Sequence, residues 1–249
     1  MKIKASITGV ILITAIMLSS CLSTDFETFS EEELANTLWT SPICGMPAEG
    51  CYGKDGYFLA EDGSLLYINI FSMTGDRWEI DGDQLVLYSH TEGYPEPSPV
   101  SYPLVRRDGV PAIRPVSGEE EQLPPAAEKL DPRVPEGRWL LRNMLNPENH
   151  EVNPETPVFL EIRTEEQGGY FLFGSGGVNT FRGNLQLEDF SWSTGPLMST
   201  MMAGPGLEYE DLVMRNMDRV SRYILLEDFL FLYDHKELIM VLGKDHSPS

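Results

Sequence analysis

The first twenty residues of this 249-residue chain hold no aspartate or glutamate, and the whole chain is short of bases: 18 Lys+Arg stand against 39 Asp+Glu, a formal charge of −21. A surface of that sign repels phosphate, which excludes nucleic-acid binding through a basic face. Histidine is sparse. His90, His150, His235 and His246 are scattered with no His-Glu-x-x-His spacing, so a zinc-protease centre is not written here, and no Gly-x-Ser-x-Gly supplies the exposed serine of a hydrolase. Cysteine occurs three times, as Cys21, Cys44 and Cys51. The apolar stretch from Ile7 to Leu18 is a dozen residues long, short of the ~20 a helix needs to cross a ~30 Å bilayer core. With 41% apolar residues the chain has too much core material for disorder, and its length allows two modest domains.

What is present begins with an address. Lys2 and Lys4 precede the short apolar stretch, the pattern of a secretory signal peptide. Leu18-Ser19-Ser20-Cys21 then resembles the bacterial lipobox, in which small residues admit a peptidase before a cysteine already joined to diacylglycerol. The resemblance implies residues 1–20 as a lipoprotein signal peptide, cleavage before Cys21, and membrane lipid as a partner through its acyl chains. Several chains hold a protein stably where one would be marginal. The other reading is an ordinary signal peptide cut nearby, leaving Cys21 as a thiol. Leu22 after the cysteine, by likeness to enterobacterial sorting, points to the outer membrane, facing the periplasm. Removing the leader leaves 16 bases against 39 acids, −23. In an oxidising compartment Cys44 and Cys51 form a disulfide closing an eight-residue loop, worth about 2.5 kcal/mol on the chain-entropy model. Inert thiols, or a metal or redox role, stand as alternatives.

The organisation follows from proline. Of 18 prolines, 13 lie between Pro95 and Pro157, where missing donors and fixed φ oppose continuous sheet or helix. Together with Glu119-Glu120-Glu121 they predict a Pro/Glu-rich linker over 109–136. Before it lie an acylated tether (21–33) and an N-terminal β domain (34–108), with a helix cap at Ser30 and the Asp81-Gly82 hairpin signal. After it, 137–243 reads as strands with one helix, on which Tyr209, Leu212, Val213, Met217 and Val220 share a face, and 244–249 is a tail. The expected fold class is mainly β: two small antiparallel β-barrel-like domains, the C-terminal one with a single packed α-helix. Residues Arg77–His90 and Arg222–His235 match at six of fourteen positions, the mark either of two similar hairpins or of two related barrels.

Three segments carry a resemblance for the second half: Trp139-Leu140-Leu141, the run Gly174-Ser175-Gly176-Gly177-Val178-Asn179-Thr180-Phe181-Arg182-Gly183, and Ser199-Thr200-Met201-Met202-Ala203-Gly204. In this order, followed by the helix and the closing hairpin Phe229-Leu230-Phe231-Leu232, they resemble the META/HslJ-like domain over roughly 137–243. The resemblance implies a small β-barrel with one helix, on envelope lipoproteins linked to stress or antibiotic tolerance, with no known reaction or cofactor. It marks Gly174, Gly176, Gly177, Asn179, Gly183, Ser199 and Thr200 as the family's loop residues. Many members carry cysteines where this chain has Val178 and Gly204, so that covalent tie is absent. The first half more faintly resembles the lipocalin-like barrel of NlpE-type lipoproteins, through Gly75 to Gly82, without their Cys-x-x-Cys. The expected function is a non-enzymatic envelope lipoprotein acting on envelope proteins or cell wall. The alternative is a lipocalin-like barrel holding a small apolar ligand among Trp78, Tyr88, Phe171 and Trp192, or simply core filling by those rings. Met198, Met201 and Met202 are thioethers suited to Cu(I), or else part of a Met-lined core or contact surface.

Overall fold

A computed structural model describes residues 28–41, 55–68, 73–91, 94, 96–114, 127–146, 157–166 and 168–247. Cys21, Cys44, Cys51 and the leader lie outside the described residues.

The first unit opens with helix α1 (Glu31–Leu34), where the Ser30 side chain accepts from the Glu33 amide as the cap requires. Strands β1 (Thr37–Ser41), β2 (Asp55–Leu59), β3 (Leu65–Ile68), β4 (Met73–Asp81), β5 (Gln84–Thr91), β6 (Ser98–Arg107), β7 (Val110–Ile113) and β8 (Glu128–Lys129) follow. They form two four-stranded sheets, ordered β3-β2-β1-β8 and β4-β5-β6-β7. The sheets touch at both ends: the Trp78 amide donates to the Gly63 carbonyl at 3.0 Å, and the Ala127 amide to that of Pro111 at 3.0 Å. Between them lies one core that includes Leu34, Trp39, Leu59, Leu65, Trp78, Leu85, Leu87, Leu104 and Ile113.

Two boundaries differ from the sequence expectation. The stretch read as tether is packed from Phe29 onward. Phe29 is buried beneath the Arg106 guanidinium, which also pairs with Glu33. The stretch read as linker, 109–136, contributes β7 and β8. Asp108 and Gly109 both take positive φ, 53° and 83°, making a tight turn that folds β7 back onto β6. β6 itself runs through Pro99 and Pro103. It can do so because residues 98–103 pair with β5 on one side while β7 covers only 104–107.

The second unit contains β9 (Gly137–Met144), β10 (Phe159–Thr164), β11 (Tyr170–Ser175), β12 (Thr180–Glu188), β13 (Ser191–Thr194), β14 (Met198–Ser199), α2 (Leu207–Arg219), β15 (Arg222–Leu226), β16 (Phe229–Asp234) and β17 (Glu237–Lys244). The ring β9-β10-β11-β12-β13-β15-β16-β17 closes on β9, an eight-stranded barrel, while β14 adds to the start of β12. Eight strands leave an interior that side chains fill. Here the filling includes Trp139, Leu160, Ile162, Leu172, Phe181, Leu185, Trp192, Leu230, Leu232 and Leu242, with the Tyr209, Leu212, Val213 and Met217 face of α2 packed against them. The two echoing hairpins share a register, Arg77 opposite Tyr88 and Arg222 opposite Tyr233. They are the fourth and fifth strands of the first unit but the sixth and seventh around the second ring, which favours similar hairpins over aligned barrels.

The units are not separate beads. A third apolar cluster joins Leu38, Phe58, Leu66 and Ile68 of β1–β3 to Ile224, Leu226, Phe231, Tyr233, Leu238 and Val241 of β15–β17. Alternate residues of these strands face the barrel cores, so the same strands are buried on both faces. Polar links border the seam: the Tyr233 hydroxyl donates to the Tyr67 carbonyl at 3.0 Å, Lys236 pairs with Asp76 at 2.9 Å, and Arg222 with Asp62. Among the described residues no helix is long and apolar enough to cross a membrane.

Candidate functional site

Part of the glycine-rich run that carries the family resemblance, Gly176, Val178 and Asn179, packs on one carboxylate. Glu210, in the first turn of α2, is 5% exposed. It accepts from the Val178 amide at 2.8 Å, from the Asn179 amide, and from Asn179 Nδ2 at 2.7 Å. Asn179 works in the other direction as well. Its Oδ1 accepts from Thr200 Oγ1 at 2.8 Å and from the Met202 amide at 2.6 Å, and its Nδ2 also donates to the Met202 carbonyl at 3.1 Å. One amide side chain thereby ties the β11–β12 loop, the segment after β14, and α2 into a clasp.

The glycines make room for it. A Cβ on Gly176 would meet Glu210 Cγ at 2.6 Å, one on Gly174 would meet the Phe181 ring at 2.5 Å, and one on Gly183 would meet Leu197 at 2.8 Å. Gly177 takes φ +118°, a conformation side-chain-bearing residues rarely adopt. Ser199 and Thr200 bond the Thr180 backbone. All seven predicted loop residues thus lie in or beside one packing device. A Cβ on Gly204 would stand 3.3 Å from Val178 Cγ1, so positions 178 and 204 are neighbours. The resemblance places Glu208 or Glu210 near the start of the helix, and the sequence does not show Glu210 to be the hub. The signal was a carboxylate one residue after Tyr209, beside the apolar face of an amphipathic helix.

The clasp holds a surface segment. Met198, Met201 and Met202 are 61%, 98% and 59% exposed, so they are not core residues. The aromatic rings named as candidate ligand contacts are dispersed: Trp78 and Trp192 are buried in different cores, and Tyr88 lies under Arg77, 3.6 Å from the guanidinium carbon to the ring centre. Among the described residues Trp192 Nε1 finds no hydrogen-bond partner. Of the two cavities described, one opens along the seam and the other lies within the first unit. One of about 280 Å³ lies between Ala60, Asp62, Phe190 and Arg222. A larger one of about 630 Å³ is lined by first-unit residues, among them Glu31, Glu32, Trp78 and Lys129. Burial raises the Asp62 carboxyl, but hydrogen bonds from Arg222 and Ser64 outweigh it and bring the pKa to about 2. The His235 and His246 side chains are 84% and 70% exposed and far from the clasp in sequence.

The second unit is thus a closed eight-stranded barrel with one helix held across it by a buried carboxylate. Residues 132–246 match the model of the META domain family, and the second barrel is a META domain. The match leaves the first unit, and its likeness to NlpE-type lipoproteins, outside it. No curated protein and no solved structure matches the chain. A META domain is consistent with an envelope-associated protein.

Proposed function

We propose that this chain is a non-enzymatic lipoprotein of the bacterial envelope. In this reading it is anchored through acyl chains on Cys21, in the outer membrane facing the periplasm, and acts through surface contacts with envelope proteins or cell wall in stress or antibiotic tolerance. The observation that carries the reading is the fate of the family residues. Asn179, Thr200 and the glycines bond and pack against one another around Glu210, and what they hold outward is a loop, not a substrate cavity. The filled barrel interior weighs against an apolar ligand inside it. The Lys2, Lys4 and Leu18-Ser19-Ser20-Cys21 leader supports the anchor. The acid surplus would hold the two-barrel body off an anionic membrane.

The test has two arms. Cells given radiolabelled palmitate should label the wild-type chain and leave Cys21→Ala unlabelled. Label persisting in the variant would end the lipid-anchor reading. Crosslinking in intact cells should then trap discrete envelope partners for the wild type and lose them when Cys21→Ala releases the body from its membrane. A chain that crosslinks to nothing, or partners unchanged by release, would overturn the contact reading.

A further inference from the structure

Among the described residues, the large apolar side chains left exposed are Tyr94, Val100, Val110, Met198, Met201 and Met202. Half of them are methionines within one five-residue loop, with no exposed Leu, Ile, Phe or Trp beside them. Protein interfaces favour methionine together with aromatic residues, and among the described residues no exposed aromatic ring stands beside these three. Three methionines without aromatics offer a set of soft thioether donors on apolar side chains.

The loop is built to present those donors. Met198 is fixed by pairing with Arg182 in the β12–β14 ladder. Met202 is fixed at both backbone groups, its N–H donating to Asn179 Oδ1 and its carbonyl accepting from Asn179 Nδ2. Thr200 between them bonds the same side chain and the Thr180 carbonyl. The backbone is therefore curled about Asn179 while the side chains at 198, 201 and 202 stay in solvent. Thioethers are uncharged soft ligands that do not titrate, and a set of three without imidazole or carboxylate selects Cu(I) over zinc or Cu(II). The acidic body draws a monovalent cation toward it.

We propose that Met198, Met201 and Met202 form a surface Cu(I) site with three thioether ligands, its backbone preset by the Asn179 clasp. No redox step is involved: the ion is taken up and released as Cu(I).

The experiment is an anaerobic titration in which the full protein competes with the chromophoric chelator bicinchoninate for Cu(I). It is run on the wild type, on Cys44→Ser/Cys51→Ser to remove thiol binding, and on that background with Met198→Leu/Met201→Leu/Met202→Leu. One Cu(I) per chain should survive the cysteine changes, and affinity should fall about tenfold or more in the methionine variant. Because those side chains are exposed, the variant should melt with the parent. Should the serine changes unfold the protein, selenomethionine-labelled wild type replaces them: X-ray absorption at the copper edge should show selenium neighbours, which cysteine cannot supply. Binding unaffected by the methionine changes, a copper shell without selenium, or loss of a crosslinked protein partner with Cu(I) affinity intact would each overturn the proposal.

Discussion

Glu210 shows how much one buried residue can organise. Three N–H groups point at its carboxylate, two of them from the backbone of residues 178 and 179. Removing the acceptor leaves buried donors unpaired, at ~1–3 kcal/mol for each group that water does not reach. Glu210→Ala is therefore expected to destabilise the protein by about 3 kcal/mol, near the top of the range for point substitutions. The loss should be read as a shifted urea midpoint with an unchanged slope. It should also loosen the 198–202 loop, seen as faster proteolysis there. The neighbouring positions 178 and 204 offer a rescue. A Cβ built at 204 would stand 3.3 Å from Val178 Cγ1, and a bridge there closes 27 residues, worth up to ~3.5 kcal/mol on the chain-entropy model. Val178→Cys/Gly204→Cys in the Glu210→Ala background should recover much of the lost stability when oxidised and none when reduced. Equal midpoints in both redox states would show that the clasp and the bridge do not hold the same segments.

Strands were legible in the sequence where alternation or turn chemistry was clean, and they were missed where a residue had two jobs. β12 alternates strictly, with Phe181, Gly183 and Leu185 inward and Thr180, Arg182 and Asn184 outward. Yet Gly183 carries no side chain to register that period, because Leu197 occupies its place. The linker expectation failed for a related reason: proline opposes a central strand, not an edge. In β6 the Leu104 amide donates toward β5, to the Asp83 carbonyl, while the Pro103 carbonyl accepts on the β7 side from Arg114. By strict alternation the donor positions at 99, 101 and 103 face the open edge, and two of those three are proline. The prolines blunt an edge that would otherwise recruit another chain. Pro99→Thr/Pro103→Thr should leave the melting temperature nearly unchanged and promote concentration-dependent association in light scattering. A variant that stays monomeric would mean the edge is protected by something else.

At the scale of the molecule, the seam was readable in retrospect. Leu65-Leu66-Tyr67-Ile68, Phe229 to Tyr233 and Leu238 to Leu242 are unbroken apolar runs, and an antiparallel strand with one wet face alternates instead. What no local pattern could convey is that the second face of each run meets the other unit. Two units sharing strands buried on both sides should unfold as one, with a single transition reported alike by both halves. Phe231→Ala opens a cavity between them and should cost ~3–5 kcal/mol while letting the halves separate into two transitions. The charged border gives this coupling a pH dependence of definite sign. Hydrogen bonding to Lys236 outweighs burial and lowers the Asp76 carboxyl, and Arg222 with Ser64 brings Asp62 to about 2. Carboxylates depressed in the folded state contribute stability above their unfolded value near 3.8, and lose it as the pH falls through the folded one. The difference in melting temperature between wild type and Arg222→Ala/Lys236→Ala should therefore be constant at neutral pH and shrink between about pH 4 and 2. A difference that persists in strong acid would show that these two pairs do not fasten the barrels together.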